Sequence, residues 1–263
     1  MHVLPELGFA QFSLVYNTLS LAIAAMFASF AFFVMARSQV TAKYRPALVM
    51  SALVVGIAGY HYFRIFESWS DAYVLAESGM YVATGEPFND AYRYVDWLLT
   101  VPLLVAELVA VLALPKSTRG SIMTRLIIAT VLMIGTGYPG EIATDITTRA
   151  IWGAVSTVPF VYILYVLFVE LSRAAANESG EVKTLLNNTR LLLFATWGFY
   201  PIAYLFPQLG IDGAWATVGL QVGYSIADIA AKCGYGVMIY AIARAKMEAA
   251  GESVDAAPAM RRA

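Results

Sequence analysis

The chain has 263 residues, of which 60% are hydrophobic and only 13% are charged, and its mean hydropathy is +0.67. An ordinary soluble domain has a smaller apolar share and about a quarter charged residues, so the composition excludes a water-soluble fold and indicates a membrane protein. The 17 Lys and Arg nearly balance the 18 Asp and Glu, so the chain has no excess of positive charge that would attract nucleic acid. The single cysteine, Cys233, excludes a disulfide framework and a cysteine-based zinc site, and we expect no metal.

Seven apolar stretches are long enough to cross about 30 Å of hydrocarbon at about 1.5 Å per residue. They lack the alternating pattern of barrel strands, and lipid requires backbone groups to be paired within a segment, so we expect helices. The sequence predicts an all-α, seven-transmembrane-helix bundle over residues 1–248, a long polar outer connection near 67–90, and a disordered cytoplasmic tail over 249–263. The predicted spans are 8–36, 46–66, 91–114, 121–139, 148–172, 186–207 and 214–244.

Basic residues fall almost entirely on one side of this predicted bundle. One set of loops and the C-terminal tail hold thirteen of the 17 Lys and Arg. The opposite loops hold only Arg64, Arg93 and Arg149, together with eight acidic residues. Because short loops rich in Lys and Arg stay in the cytoplasm, we expect the N-terminus outside and the C-terminus in the cytoplasm.

Charged residues inside the spans are costly in lipid and are therefore functional candidates. On the third span, Asp96 and Glu107 are eleven residues apart, which is three helical turns plus about 20°, so both carboxylates point the same way about 16 Å apart. Thr100 lies one turn inward of Asp96 and Arg93 about one turn outward, so four polar groups line one face. These groups either line the two halves of one path or are a row of polar groups that serve helix packing.

The seventh span places Asp228 and Lys232 at positions i and i+4, neighbours on one helical face. Desolvation favours the neutral form of a buried amine, which is nucleophilic toward an aldehyde. Such a lysine can form a Schiff base, and Asp228 with Asp96 across the bundle would be the counterions of its protonated form. A structural Lys–Asp pair is the alternative from these residues alone.

At these segments the sequence resembles the microbial rhodopsins, and among them the proteorhodopsin and xanthorhodopsin light-driven proton pumps, over nearly the whole chain. The resemblance is carried by three motifs, which are Arg93-Tyr-Val-Asp96-Trp-Leu-Leu-Thr100-Val-Pro-Leu, Trp197-Gly-Phe-Tyr200-Pro201 and Asp228-Ile-Ala-Ala-Lys232. It implies that Lys232 carries all-trans retinal covalently and that Asp96 is the primary proton acceptor. It also implies that Asp228 is the second counterion and Glu107 the cytoplasmic proton donor.

Further residues take their expected roles from the same resemblance. Asp96, Thr100 and Glu107 match the proton-pump motif of this branch, and His61 is expected against the acceptor carboxylate, where it would help to hold that acid ionised. Near 206–210 no pair of glutamates resembles the release group of some archaeal pumps, so early proton release is not expected. The residues expected to surround the polyene are Trp97, Leu104, Met133, Gly137, Ser156, Phe160, Trp197, Tyr200, Pro201 and Tyr204.

Two positions bear on colour and on a second chromophore. A leucine at Leu104 goes with green absorption in proteorhodopsins, so green absorption is expected. Gly153 lies where many relatives carry a bulky residue beside the retinal ring. In xanthorhodopsin-like members a glycine there opens a side window for a carotenoid antenna, so the resemblance implies a carotenoid near Gly153. A small residue that merely lets two helices approach is the alternative.

The sequence therefore predicts a light-driven outward proton pump, which is an ion transporter and not an enzyme. We expect it in the plasma membrane, as in a bacterial inner membrane, in contact with lipid and protons and as a homo-oligomer, a trimer or pentamer. The alternative is a sensory photoreceptor that signals to a partner protein, and a remoter one is a receptor or transporter without a covalent chromophore. Glu107 favours the pump, because a sensor does not need fast reprotonation from the inside.

Overall fold

Helices form most of the chain in a computed structural model that describes residues 4–112 and 114–254. A two-stranded antiparallel hairpin, β1 (Tyr73–Leu75) with β2 (Tyr81–Ala83), interrupts them. The helices are α1 (Phe9–Ala36), α2 (Arg45–Ala72), α3 (Tyr92–Leu112), α4 (Lys116–Glu141), α5 (Ile146–Ala176), α6 (Gly180–Trp197), α7 (Phe199–Tyr204), α8 (Gly213–Asp228) and α9 (Tyr235–Ala249).

These helices make seven rods, which confirms the predicted seven-helix bundle. Six segments of the described chain are long and apolar enough to cross a membrane by length and composition. The sixth rod does not meet that criterion, because α6 begins at Gly180 and carries Glu181, Lys183 and Arg190 before its apolar half. The short helix α7, which contains Pro201, continues this rod. The seventh rod consists of α8, a π-helical segment Ile229–Gly234, and α9.

Each rod packs on its neighbour in chain order, and the seventh packs back on α1, so the bundle is closed. Large apolar side chains cover its outer surface, among them Val158 at 72% exposure and Leu191 at 64%. The interior is mostly apolar, but it also holds buried polar and charged side chains from α2, α3 and the seventh rod. An apolar exterior with charged groups confined to the interior is the arrangement expected when lipid is the solvent.

The outer connection between α2 and α3 is shorter and more structured than the sequence predicts, because α2 extends to Ala72. The hairpin turns at Gly79, whose φ of +78° suits glycine. Leu7 joins the hairpin by exchanging backbone hydrogen bonds with Tyr81, and the Phe12 ring stacks on the Tyr81 ring at 3.9 Å. These contacts tie the N-terminal segment to the end of the bundle where α2 connects to α3.

The start of the predicted tail contacts the loop between α1 and α2. The Lys43 amine and the Thr41 hydroxyl both donate to the Glu252 carboxylate, the latter at 3.2 Å. Residues 255–263 lie outside the described part of the chain, so the predicted disorder stays a prediction for them.

Candidate functional site

Lys232 is the centre of the buried polar interior, and its side chain is 2% exposed. It lies in the π-helical segment Ile229–Gly234, a local widening that is frequent at functional sites. The Lys232 Nζ atom is 2.8 Å from Asp96 Oδ2 on α3 and 3.0 Å from Asp228 Oδ2 on its own rod. The structure thus brings together the lysine and both carboxylates that the sequence singled out.

The two carboxylates have different surroundings. Asp228 is held on both oxygens, since Tyr62 donates to Oδ2 at 2.8 Å and Tyr200 donates to Oδ1. Asp96 pairs with Lys232 through Oδ2, and its Oδ1 has no hydrogen-bond partner among the described residues. Asp228 is therefore fixed as a hydrogen-bonded carboxylate, whereas Asp96 keeps one oxygen open to a proton.

Two predicted neighbours of Asp96 make hydrogen bonds to the backbone. The Thr100 hydroxyl donates to the Asp96 carbonyl oxygen at 2.9 Å, one turn back along α3. His61 is 7% exposed, and its Nδ1 lies 3.0 Å from the Ile57 carbonyl oxygen. No hydrogen bond joins the His61 ring to the Asp96 side chain in the described residues. The expected contact of His61 with the acceptor carboxylate therefore stays a prediction.

Arg93 lies on the side of this centre nearer the start of α3 and is only 3% exposed. Its Nη1 donates to the Tyr62 hydroxyl at 3.2 Å and its Nη2 to Gln221 Oε1 at 2.5 Å. The guanidinium carbon also lies 5.2 Å from the centroid of the Tyr224 ring, within the range of a cation–π contact. Arg93 and Lys232 together balance the two buried aspartates.

Glu107 lies on α3 toward the opposite end of the bundle and is fully buried. The Ser51 hydroxyl on α2 donates to Glu107 Oε2 at 2.5 Å, and Oε1 has no partner among the described residues. Burying an ionised carboxylate without a cation is very costly, so this setting suits a carboxylic acid that carries its proton. Eleven residues of helical rise place it about 16 Å from Asp96 along the axis.

An apolar cavity of about 470 Å³ extends from Lys232 and Asp228 between α3, α4, α5 and the sixth rod. Its volume lies in the range typical of small-molecule sites. Every residue that the sequence assigned to the chromophore wall lines it, namely Trp97, Leu104, Met133, Gly137, Ser156, Phe160, Trp197, Tyr200, Pro201, Tyr204 and also Gly153.

Sequence reasoning missed part of this wall. The missed residues include Tyr94, Ala150, Ala154, Thr157, Leu205, Gln208 and Tyr224. A signal for the α5 group was present, because Ala150, Ala154 and Thr157 share one helical face with Gly153. Ala154 and Thr157 are exposed on the outside of the bundle, and Leu205 across from them is 48% exposed. The cavity therefore reaches the lipid-facing surface between α5 and the sixth rod.

Gly153 is in close contact with Tyr204 at this lateral opening. A Cβ atom on Gly153 would lie 2.5 Å from Tyr204 Cε1, so the glycine is needed for the ring to lie there. The Tyr204 hydroxyl donates to the Arg149 carbonyl oxygen at 2.7 Å, and the Arg149 guanidinium lies 4.4 Å from the ring centroid. The space that glycine leaves is thus partly occupied by a fixed aromatic ring.

The fold and this site define a class of seven-helix membrane proteins with a buried lysine between two carboxylates at the end of an apolar cavity. The chain belongs to the bacteriorhodopsin-like family, since the model of that family, described as bacteriorhodopsin-like protein, matches residues 14–246. The resemblance noted in the motifs is thereby confirmed.

Individual relatives agree with this membership. The chain is 32% identical over 223 residues to a green-light absorbing proteorhodopsin from Gamma-proteobacterium EBAC31A08, which covers 84% of this chain and 82% of the relative. Two solved structures each superpose with a TM-score of 0.90 and cover 95% of this chain and 100% of their own. One is xanthorhodopsin, described as a light-driven ion pump with dual chromophore, at 56% identity. The other is a thermophilic rhodopsin at 52% identity.

Proposed function

We propose that this protein is a light-driven outward proton pump that holds all-trans retinal on Lys232. The observation that carries the proposal is the 2.8 Å pair between Lys232 Nζ and Asp96 Oδ2 at the closed end of the apolar cavity. The relatives named as proteorhodopsins and as a light-driven ion pump support it. The N-terminus faces outward in this proposal, because the basic loops lie on the side of the C-terminus.

The residues present fit retinal as the bound group. Lys232 supplies a buried amine that can hold it through a Schiff base, and Trp97, Trp197 and Tyr200 give an aromatic wall with few polar atoms. When bound, retinal would supply light absorption and a change of shape that lowers the proton affinity of the linkage nitrogen. Leu104 is 3% exposed and lines the cavity, so the expected green absorption remains part of the proposal.

The proton path follows from the different surroundings of the two aspartates. Asp96 accepts the proton released at Lys232 Nζ, because it is in hydrogen-bond contact and has a free Oδ1. Asp228 stays ionised, since hydroxyls from Tyr62 and Tyr200 already donate to both its oxygens. Asp228 therefore supplies a constant negative charge while Asp96 is neutralised.

Glu107 completes the path on the inner side. A buried acid with one hydroxyl partner keeps its proton until Nζ has lost its own, and then returns one from the inside. The proton leaves Lys232 Nζ for Asp96, on the side of Arg93, and a new proton arrives from Glu107 on the opposite side. The transport therefore has a direction. This arrangement favours a pump over the sensory photoreceptor, which does not need a fast inner donor.

The test is to illuminate cells that express the protein with retinal and to record the external pH with and without a protonophore. We expect acidification in the light that the protonophore abolishes and that Asp96→Asn lacks. A visible absorption band without any light-driven pH change would favour the photoreceptor. The predicted trimer or pentamer can be tested by measuring the molecular mass of the protein purified from the same cells.

We further propose a carotenoid antenna on the lipid face beside Gly153. The support is the lateral reach of the cavity past Ala154 and Thr157, and the structural relative described as having a dual chromophore. In this proposal the carotenoid ring lies against Tyr204. The Tyr204 ring can lie at the opening because Gly153 has no side chain there.

Hydroxylated or keto-carotenoids added to the purified protein should give a carotenoid-shaped band in the action spectrum of proton transport. Gly153→Trp should remove that band. Val158→Trp is the matched control, because Val158 is a lipid-facing residue of α5 outside the cavity lining. Absence of the band with the wild type, or an equal band in Gly153→Trp, would rule out the antenna and leave Gly153 as the space for Tyr204.

A further inference from the structure

A hydrogen-bonded chain leads from the lysine site toward the outer surface. Asp228 Oδ2 accepts from the Tyr62 hydroxyl at 2.8 Å, and that hydroxyl accepts from Arg93 Nη1 at 3.2 Å. Arg93 Nη2 donates to Gln221 Oε1 at 2.5 Å, and Gln221 Nε2 donates to Asp90 Oδ2 at 3.2 Å. Arg93 and Gln221 are buried, whereas Asp90 is only partly buried. The chain thus ends on a carboxylate that reaches water.

The chemistry of the chain fixes the orientation of its middle member. Arginine can only donate hydrogen bonds, so the Gln221 oxygen must face Arg93 and its NH₂ group must face Asp90. A carboxylate is the matching acceptor for that NH₂ group. The Asp90 carbonyl oxygen also accepts from the Arg93 backbone N–H at 2.9 Å where α3 begins. Asp90 therefore holds Arg93 through its backbone and, by way of Gln221, through its side chain.

The other outer carboxylate of this region is already paired. Glu141 Oε2 lies 2.9 Å from Arg149 Nη2, so its charge is compensated by a buried guanidinium. The Asp90 side chain has only the neutral Gln221 amide as its hydrogen-bond partner in the described part of the chain. Of the two acids, Asp90 is the one that can gain a proton without breaking an ion pair.

We propose that Asp90 is the outward proton-release residue, which positions Arg93 through Gln221 and accepts the proton that Asp96 gives up. This inference rests on the proposed pump function. An O–H bond breaks at Asp96 and water carries the proton past Arg93, which keeps its own protons because a guanidinium does not deprotonate in proteins. An O–H bond then forms at Asp90, and it breaks in turn when the proton enters the outside water.

This assignment explains how a chain without a glutamate pair near residues 206–210 can still release protons through a carboxyl. The release group lies instead at the start of α3, three residues before Arg93.

The discriminating variant is Asp90→Asn. It retains the backbone contact and a side-chain oxygen for Gln221 Nε2, but it removes the charge and the ability to hold a proton. Asp90→Glu restores both, and Asp71→Asn is the matched control at an exposed carboxylate near the outer end of α2. Each purified protein is flashed in the presence of a pH-sensitive dye, and its light-induced infrared spectrum is recorded in the carboxyl C=O region.

We expect the dye signal of Asp90→Asn to arrive about tenfold later than that of the wild type, because a positioned proton carrier is lost. A transient C=O band should also disappear from its infrared spectrum. Asp90→Glu and Asp71→Asn should release at the wild-type time with a carboxyl band present. The visible absorption band of each variant shows that it is folded. If Asp90→Asn lacks that band, the transient C=O band of Asp90→Glu decides the question, because it must move from the wild-type frequency if residue 90 carries the proton and must stay there if it does not.

Two failures are distinguishable. A wild-type protein that moves no protons in the light would refute the proposed function, and this inference with it. A wild-type protein that pumps, with Asp90→Asn unchanged in both dye signal and carboxyl bands, would refute the inference alone.

Discussion

Replacing Glu107 by glutamine removes the proposed inner proton donor while keeping its size and its contact with Ser51. Glu107 is fully buried, and the Ser51 hydroxyl at 2.5 Å is its hydrogen-bond partner. The glutamine amide can hold the same position but cannot give up a proton. The proton that restores Lys232 Nζ must then come from the water on that side, without an intermediate carboxyl group to relay it.

The magnitude follows from the usual contribution of a positioned acid. Proton transfer by such a group accelerates a step by about 10²–10⁴-fold. Taking the lower end, we expect Glu107→Gln to slow the reprotonation of Lys232 Nζ about 100-fold at neutral pH. This is equivalent to about 2.7 kcal/mol of activation free energy. Because hydronium ions of the solution then supply the proton, the recovery rate should also fall about tenfold for each unit of rising pH, in proportion to the proton concentration.

The assay is flash photolysis of the purified protein between pH 6 and pH 8, with the recovery of the resting absorption as the signal. Glu170→Gln is the matched control, because Glu170 is a carboxylate of α5 that pairs with Arg173 at 2.9 Å at the inner end of the bundle. It should recover at the wild-type rate. Unchanged recovery in Glu107→Gln would show that the proton returns by another route.

Other perturbations test separate parts of the account. Asp96→Asn removes the charge 2.8 Å from Lys232 Nζ, so its visible absorption should shift to the red and light-driven pH changes should cease. Ser51→Ala leaves Glu107 buried without its hydroxyl partner, which stabilises the carboxylate that forms when Glu107 gives up its proton. The recovery rate measured by flash photolysis should therefore fall severalfold, with the absorption maximum unchanged. At the inner surface, the hydrogen bond from Lys43 lowers the pKa of the Glu252 carboxyl. The contact is therefore fully stabilising above the ordinary glutamate value of about 4.3 and is lost as the pH falls through the lowered pKa. The protection factors of residues 249–254 against hydrogen exchange should fall only below about pH 4.

The polar face of α3 could be predicted from the sequence because helical geometry fixes it. Asp96, Thr100 and Glu107 share one face at any tilt or rotation of the helix, and a charge in lipid must point inward. The Asp228–Lys232 pair followed from the same periodicity and is present at 3.0 Å. The pocket wall came from the family resemblance, since aromatic residues taken singly do not indicate which of them faces a ligand.

Contacts between different helices could not be predicted in this way. Tyr62, Ser51 and Gln221 each bind an ionisable residue of the interior. Their partners depend on the rotation and height of one helix against another, which hydropathy does not determine. The same holds for Gly153, whose sequence context gives no sign that the Tyr204 ring lies against it.

The π-helical segment Ile229–Gly234 has no signal in the sequence that we recognise, although it contains Lys232. The hairpin between α2 and α3 was hidden for another reason. Its strands are three residues each, too short to show a periodic pattern within a polar connection.

The central claim is that Lys232 holds the chromophore covalently, and one measurement tests it most directly. The Lys232→Ala variant is purified from cells supplied with retinal, and its visible absorption and helical circular dichroism are recorded beside those of the wild type. We predict a helical membrane protein without the visible band. A covalent visible band that persists in Lys232→Ala would contradict the account.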